Sequence, residues 1–475
     1  MVFHSFRRLS AGLGLLGVLG ASLSGCGGGS SSGGGTGTDT RQACTANTPK
    51  GGARWTILVY MNASNNLQPF SLLNIAQMAS VGSDSDVNIV VQWKQTSADR
   101  ISNCSDCAPS FLGTRRYLIR KHTAAQVSSL CSSLSDFSTC ARNETVLDSD
   151  RLPNPTTNTT YTDPVSGQTV STSDMGDYKV LDDFVHWGVQ NYPADHMALL
   201  IWDHGSGWRP VYRSAQKRTI TRAVSQDDDT ANEIQTWQIA SAINSRALAQ
   251  PLDMIIFDAS LEGMLEIAYE LRNSARVMVG SEESPPGAGY PYHQWLAALK
   301  ASGKNPCDLG SSIVNTFVAN YTSASDVTQA VYDLTKAQNV ANQLDAFGNS
   351  LFIHHIQEQT LIQTARDSAQ PYGAGNSLYT GNIDLYDFAD RIATGTSFSD
   401  LKQAAKNVQS ALTAKPGGMI LTNAHGSTGQ ANSNGLAIYV PPPSTFDSAL
   451  QASYAQLALS KATPNWTQFL KVQLQ

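Results

Sequence analysis

His204 and Ser260 stand where side chains do chemistry. His204 comes just after the apolar run Ala198-Leu199-Leu200-Ile201-Trp202, and Ser260 just after Met254-Ile255-Ile256-Phe257. Apolar runs without polar alternation read as strands buried on both faces, the mark of a parallel sheet. Groups just beyond the carboxyl ends of neighbouring parallel strands face a common crevice. An imidazole and a hydroxyl meeting there would form a base and nucleophile pair for acyl transfer.

The segments around these runs read as the rest of an α/β sheet. Trp55–Met61 is β-branched and aromatic, Asn62 to Asn66 forms a polar turn, and Leu72, Ile75 and Met78 repeat at helical spacing. Val87–Trp93 and Arg116–Arg120 read as further strands. An amphipathic helix through Leu181, Phe184, Val185 and Val189 is closed by Pro193 before the His204 strand. Beyond Ser260, Leu261 to Asn273 reads as helix and Arg276 to Gly280 as strand. Ser281-Glu282-Glu283-Ser284-Pro285-Pro286-Gly287-Ala288-Gly289-Tyr290 then forms a rigid loop at that strand's carboxyl end. Strands near Ala330–Leu334, Met419–Thr422 and Gly435–Val440 alternate with helices to the end, and this alternation is the pattern of α/β proteins. The stretch from about Ser102 to Ser173 is less regular and reads as a surface excursion tied by disulfides.

The composition, 41% hydrophobic and 15% charged with a formal charge of −6, suits a folded protein and gives no basic block for nucleic acid. The run Gln226-Asp227-Asp228-Asp229 gathers hard oxygen ligands of the kind calcium takes, although it equally suits a turn and lacks the ligand spacing of an EF-hand. Arg7 and Arg8 precede an apolar stretch from Leu9 to Leu23 that is too short and glycine-rich for a lasting membrane span. It ends in Leu23-Ser24-Gly25-Cys26, which resembles a bacterial lipobox and implies cleavage before Cys26 and acylation of its thiol. From Gly27 to Thr40 the chain is nearly all Gly, Ser and Thr, a flexible tether. The non-acidic Gly27 points to an outer-membrane destination in a two-membrane cell. Seven cysteines less Cys26 leave an even number, expected as disulfides in an exported protein, with the pairing open. Cys104-Ser105-Asp106-Cys107 has no second close pair to complete a zinc site.

Taken together, Tyr60-Met61 with Asn65-Asn66-Leu67, Met175-Gly176-Asp177, Tyr192-Pro193-Ala194-Asp195, Trp202-Asp203-His204-Gly205-Ser206-Gly207-Trp208, Asp258-Ala259 with Gly263, and Ser281-Glu282-Glu283 resemble the clostripain family of cysteine peptidases. Tyr332-Asp333-Leu334, Asp384-Leu385 and Gly435-Leu436-Ala437-Ile438-Tyr439 also fit. The resemblance implies a caspase-like three-layer sandwich around a mostly parallel sheet, with a C-terminal α/β extension. With the lipobox reading, the chain divides into a signal peptide (1–25), a lipid-anchored linker (26–50), and, by the family resemblance, a peptidase core (51–300) with a cysteine-containing insertion at about 102–173 and the C-terminal part of the same region (301–475). The resemblance makes His204 the general base or acid, the N–H at Gly205 part of the oxyanion site, and Asp258 a wall of a pocket for Arg or Lys. Asp258 is equally a candidate cap for the helix after its strand. No cofactor is implied.

Three positions depart from the family pattern. Ser260 replaces the nucleophilic Cys; a thiol ionises near about 8.5, whereas an alcohol needs a base aligned during attack. Ala288 stands where many relatives carry an acid, and Ser64 where they commonly have Asp. The expected function is therefore peptide or protein binding at the bacterial cell surface by a catalytically impaired member. The alternative is an active endopeptidase cleaving after Arg or Lys with Ser260 and His204, which would also cut its own Lys217-Arg218 region.

Overall fold

The computed structural model describes residues 42–45, 52–96, 109–141, 147, 149–209, 211–212, 219–220, 224–246, 248, 250–321, 326–373, 379–426, 429–442 and 445–472. Cys26, Cys104, Cys107, Lys217, Arg218 and the expected signal peptide lie outside these residues.

Nine strands form the main sheet, in the order Ile420–His425, Thr328–Asp333, Ala275–Gly280, Leu252–Asp258, Ala194–Trp202, Ala53–Ala63, Val87–Gln95, Gly113–Leu118 and Asp150–Leu152. The five central strands run parallel, and two antiparallel strands flank them on each side. The two apolar runs singled out in the sequence are neighbours: Ile256 pairs with Leu200 and Asp258 with Trp202. Their ends are therefore level, and His204 and Ser260 leave the sheet side by side.

Successive side chains of a strand point to opposite faces, and here each face has its own core. Leu199, Ile201, Ile255 and Phe257 pack with Leu181 and Phe184 of the helix Tyr178–Asn191 and with Leu265 and Ile267 of the helix Leu265–Leu271. Ala198, Leu200, Met254 and Ile256 pack on the other face with Leu73, Trp295 and Ile313 from the helices Gln68–Val81, Tyr292–Ser302 and Pro306–Asn320. The result is the three-layer α/β sandwich expected from the sequence.

Two local expectations are corrected. The helix after Ser260 starts at Leu265, not Leu261, because Leu261 adopts φ 65°, which no helix tolerates. The excursion from Ser102 to Ser173 is not only surface decoration, since Gly113–Leu118 and Asp150–Leu152 extend the main sheet. The late strand read over Gly435–Val440 is present as Ala437–Tyr439, and it pairs with Asn382–Asp384 outside the main sheet. Two disulfides are present among the described residues, Cys44–Cys307 and Cys131–Cys140.

Candidate functional site

The turn Asn65-Asn66, which follows the strand Ala53–Ala63, fixes the His204 strand end from the side. Asn65 Nδ2 donates to Asp203 Oδ1 at 2.6 Å, and the same oxygen accepts the His204 backbone N–H at 2.5 Å. The Asp203 N–H reaches across to the Asp258 carbonyl at 3.2 Å, tying the two strand ends together. Burial of the Asp203 carboxyl raises its pKa well above the carboxylate range. His204 Nε2 lies 2.6 Å from Asn66 Oδ1, so two consecutive asparagines hold His204, Asn66 at the imidazole and Asn65 at the backbone through Asp203.

Gly205 is required by the closeness of the Ser260 turn. A Cβ on residue 205 would meet the Ser260 carbonyl oxygen at 2.3 Å and the Ser260 nitrogen at 2.9 Å, closer than any side chain tolerates. Immediately after Ser260, Leu261 adopts its left-handed conformation, and the Gly263 N–H donates to the Ser281 carbonyl at 2.8 Å. A non-glycine residue in that region stores backbone strain, which is characteristic of functional turns.

His204, Gly205 and Ser260 line one cavity of about 180 Å³, together with Gln226, Glu233 and Tyr379. The sequence reading brought together the first three and missed the others. Val224–Asp227 and Asn232–Ile234 form a short antiparallel hairpin laid beside the His204 loop through a Gly205–Val224 bridge, and it delivers Gln226 and Glu233 to the cavity wall. Nothing in a three-residue strand such as Asn232-Glu233-Ile234 marks it in advance. Ser260 is half-buried, and its hydroxyl makes no hydrogen bond among the described residues.

Asp258 and Ala288 are not among the residues lining this cavity. The Asp258 carboxylate is buried beneath the loop that ends at Tyr290, accepting the Tyr292 hydroxyl at 2.7 Å and the Tyr290 N–H at 3.2 Å. Burial outweighs these two bonds and pushes its pKa up to about 6. Asp258 does not cap a helix, since the next one begins only at Leu265, behind Met264. Ala288 offers its carbonyl to Asn74 Nδ2 at 3.0 Å.

The acidic run is held by a lysine. Lys94 Nζ lies 2.6 Å from Asp227 Oδ2 and 3.6 Å from Asp229 Oδ2, with all three side chains fully buried. Ser64 Oγ is 2.9 Å from both carboxylates, and Thr96 Oγ1 donates to Asp229 at 2.6 Å. Among the described residues no group of three or more His, Cys, Asp or Glu side chains is arranged to hold a metal ion. Lys94 thus sets an ammonium beside Asp227 and Asp229 of the acidic run that the sequence offered as a calcium candidate. Ser64 now has an evident role, because its small hydroxyl fits between two carboxylates where a third would add repulsion.

A second carboxyl cluster joins the C-terminal elements to the site. Tyr372 Oη lies 2.7 Å from Glu282 Oε1 and 3.1 Å from Asp384 Oδ2, and Glu283 accepts the Gly373 N–H at 2.9 Å. Burial, with the neighbouring Asp384 charge, raises the Glu282 pKa well above its ordinary value. These contacts fix the loop after Ser281 against Tyr372 and Gly373.

Glu262 faces the Gly207 and Ser206 N–H groups, yet full burial outweighs them and pushes its pKa up to about 8. The folded chain keeps a proton on Glu262 that the unfolded chain releases near about pH 4.3. Stability is therefore expected to fall as pH rises between these values, with a limiting slope from this group of about 1.4 kcal/mol per pH unit, and to level off above about pH 8. Urea unfolding at pH 5, 6.5 and 8 checks this, and Glu262→Gln is expected to lose less stability across the range than the parent chain.

The clostripain family pattern matches residues 59–472. Clostripain of Hathewaya histolytica is 24% identical over 472 residues, covering 90% of this chain and 81% of that protein. A secreted C11 cysteine protease from Bacteroides thetaiotaomicron, solved with an irreversible peptide inhibitor, superposes with a TM-score of 0.58 at 17% identity, over 86% of this chain and 99% of that one. An inactive zymogen C11 protease from Parabacteroides distasonis gives a TM-score of 0.58 at 18% identity, over 87% and 99%. These structures share the fold.

Proposed function

Because the chain belongs to the clostripain family across residues 59–472, we propose that it is a lipid-anchored envelope protein that binds peptides at the His204–Ser260 cavity with little or no hydrolysis. One observation carries the reading. The His204 imidazole is engaged at 2.6 Å by Asn66, while the hydroxyl that it would have to activate has no hydrogen bond to it. A serine nucleophile depends on such an aligned base far more than a cysteine does. The cavity itself is intact, and the family's peptide chemistry gives it a natural occupant. This reading requires no cofactor.

Glu233 is a carboxylate on the cavity wall and takes the cationic end of an arginine or lysine ligand. Glu233→Gln is expected to weaken binding of an arginine-containing peptide about tenfold, equivalent to about 1.4 kcal/mol. Fluorescence anisotropy reads the change, and Asp258→Asn is the comparison that should show the smaller effect.

Anchoring through Cys26 and the Gly/Ser/Thr tether places this cavity at the cell envelope, and in a two-membrane cell at the outer membrane. No helix among the described residues is long and apolar enough to cross a membrane, and the fold relative from Bacteroides thetaiotaomicron is described as secreted. Radiolabelled palmitate incorporation, lost in Cys26→Ala, tests the anchor. Incubating the purified mature protein with Arg and Lys peptides tests the cavity, and binding without turnover is the expected result. Hydrolysis that disappears in His204→Ala, or self-cleavage near Lys217-Arg218, would establish the active endopeptidase instead.

A further inference from the structure

The loop that carries His204 is laid along the Ser260 turn, and a carboxyl group sits between them. At one end of this contact a Cβ on Gly205 would meet the Ser260 carbonyl oxygen at 2.3 Å. At the other, a Cβ on Gly207 would meet the Leu261 carbonyl oxygen at 3.1 Å and Met264 Sδ at 2.7 Å. Glu262 lies between these two points: its Oε1 would be 2.7 Å from that same Gly205 Cβ, and its side chain is fully buried. The Ser206 and Gly207 N–H groups face the carboxyl, yet neither of its oxygens completes a hydrogen bond. Such a position suits a neutral carboxyl, and an ionised one there is a charge cut off from water. Gly207, at φ 67°, gives the loop a bend about which it can move.

Resting on the peptide-binding reading of the His204–Ser260 cavity, we propose that Glu262 is a proton-dependent positioning residue of that cavity: neutral, it lets the loop close on the Ser260 turn, and ionised it drives the two apart, so that peptide affinity falls as pH rises. Glu262 itself touches no ligand. It acts through Gly205, which lines the cavity and lies against its carboxyl. Exposed to water, a glutamate ionises near about pH 4.3, whereas in the closed loop burial outweighs the two N–H groups and Glu262 keeps its proton up to about 8. The closed form therefore loses ground to the open one as pH rises between these values. Above about pH 8 both forms are ionised and the balance stops changing. The elements packed round Glu262 carry other titratable groups: Asp203, His204 and Arg209 on the loop, Asp258 before the turn, Glu282 and Glu283 after the strand Ala275–Gly280, and Tyr332 near Gly263. Glu266, raised by burial to about 7, faces the Tyr439 N–H and the Tyr454 hydroxyl instead. Removing the charge at Glu262 alone separates its effect from theirs.

The test compares the full mature protein with Glu262→Gln, a neutral side chain of the same shape. Affinity for an acetylated and amidated arginine peptide is measured by anisotropy at pH 6, 8 and 9, and thermal unfolding at each pH confirms that both proteins are folded. At pH 6 the two are expected to bind within about twofold of each other, and at pH 8 the parent about tenfold more weakly, with no further divergence at pH 9. A ratio of the two affinities that stays constant across pH, whatever its size, makes Glu262 merely structural and overturns the proposal, as does a parent that binds more tightly at high pH. If Glu262→Gln does not fold, the parent's own curve decides: weakening between pH 7 and 8 that ends by pH 9 supports the role, and a flat curve overturns it. Binding that is present but independent of Glu262 leaves the cavity's reading standing. If no peptide binds at any pH, that reading fails, and the role of Glu262 with it.

Discussion

Ser260→Cys is expected to turn a chain with little or no hydrolytic activity into a measurable endopeptidase, with turnover of arginine or lysine peptides rising on the order of a hundredfold or more. The structure keeps what a cysteine nucleophile needs. The His204 and Ser260 strand ends are adjacent and in register, and the backbone at Gly205 lies against the Ser260 turn. Asn66 holds the imidazole, and Asn65 fixes the His204 backbone through Asp203. A thiol ionises near about 8.5 without a tightly aligned base, and a neighbouring imidazole lowers that value. A hydroxyl gains no comparable help from the same surroundings. Progress curves with a fluorogenic arginine peptide measure the gain, and His204→Ala added to Ser260→Cys should return the rate to the parental level. If Ser260→Cys still binds peptide and stays silent, the loss of activity lies deeper than the nucleophile, and Asp258, sequestered by Tyr292, becomes the next residue to examine.

Lys94→Met is expected to cost about 3–5 kcal/mol of folding stability, the usual consequence of leaving buried charge without its partner. Lys94 is fully buried against Asp227 and Asp229, and burial already raises the pKa of Asp229 against the opposing pull of the lysine. Without the ammonium, both carboxylates face each other and Ser64 in a closed space. Urea unfolding at pH 7 should show the loss. The same change should weaken peptide binding, because the hairpin held by Asp227 carries Gln226 and Glu233 into the cavity. A variant with undiminished stability would mean that the carboxylates simply take up protons, and its stability would then become strongly dependent on pH.

The sequence announced the sheet centre because strands buried on both faces must be apolar throughout, and Leu199–Trp202 and Met254–Phe257 have no other sensible reading. His204, Gly205 and Ser260 were legible for the same reason, since a strand end fixes where its next residues go. Glu233 and Gln226 were not, because a short hairpin placed by a buried ion pair leaves no periodicity to read. Asp227 and Asp229 looked like a cation loop, and the partner that gives them meaning, Lys94, lies more than a hundred residues earlier on the strand Val87–Gln95. The burial of Asp258 followed from Tyr292, whose apolar ring gave no hint that its hydroxyl would close over a carboxylate.

The Cys44–Cys307 bond joins the start of the described chain to the first turn of the helix Pro306–Asn320, which packs against the sheet through Ile313 and Phe317. Tension arriving from the residues before Cys44 is consequently delivered through a covalent link into a buried helix, and not onto the hydrogen bonds of the strand Ala53–Ala63. Pulled by its leading end, the body should behave as a load-bearing unit, with its first strand shielded from peeling for as long as that one bond remains oxidised.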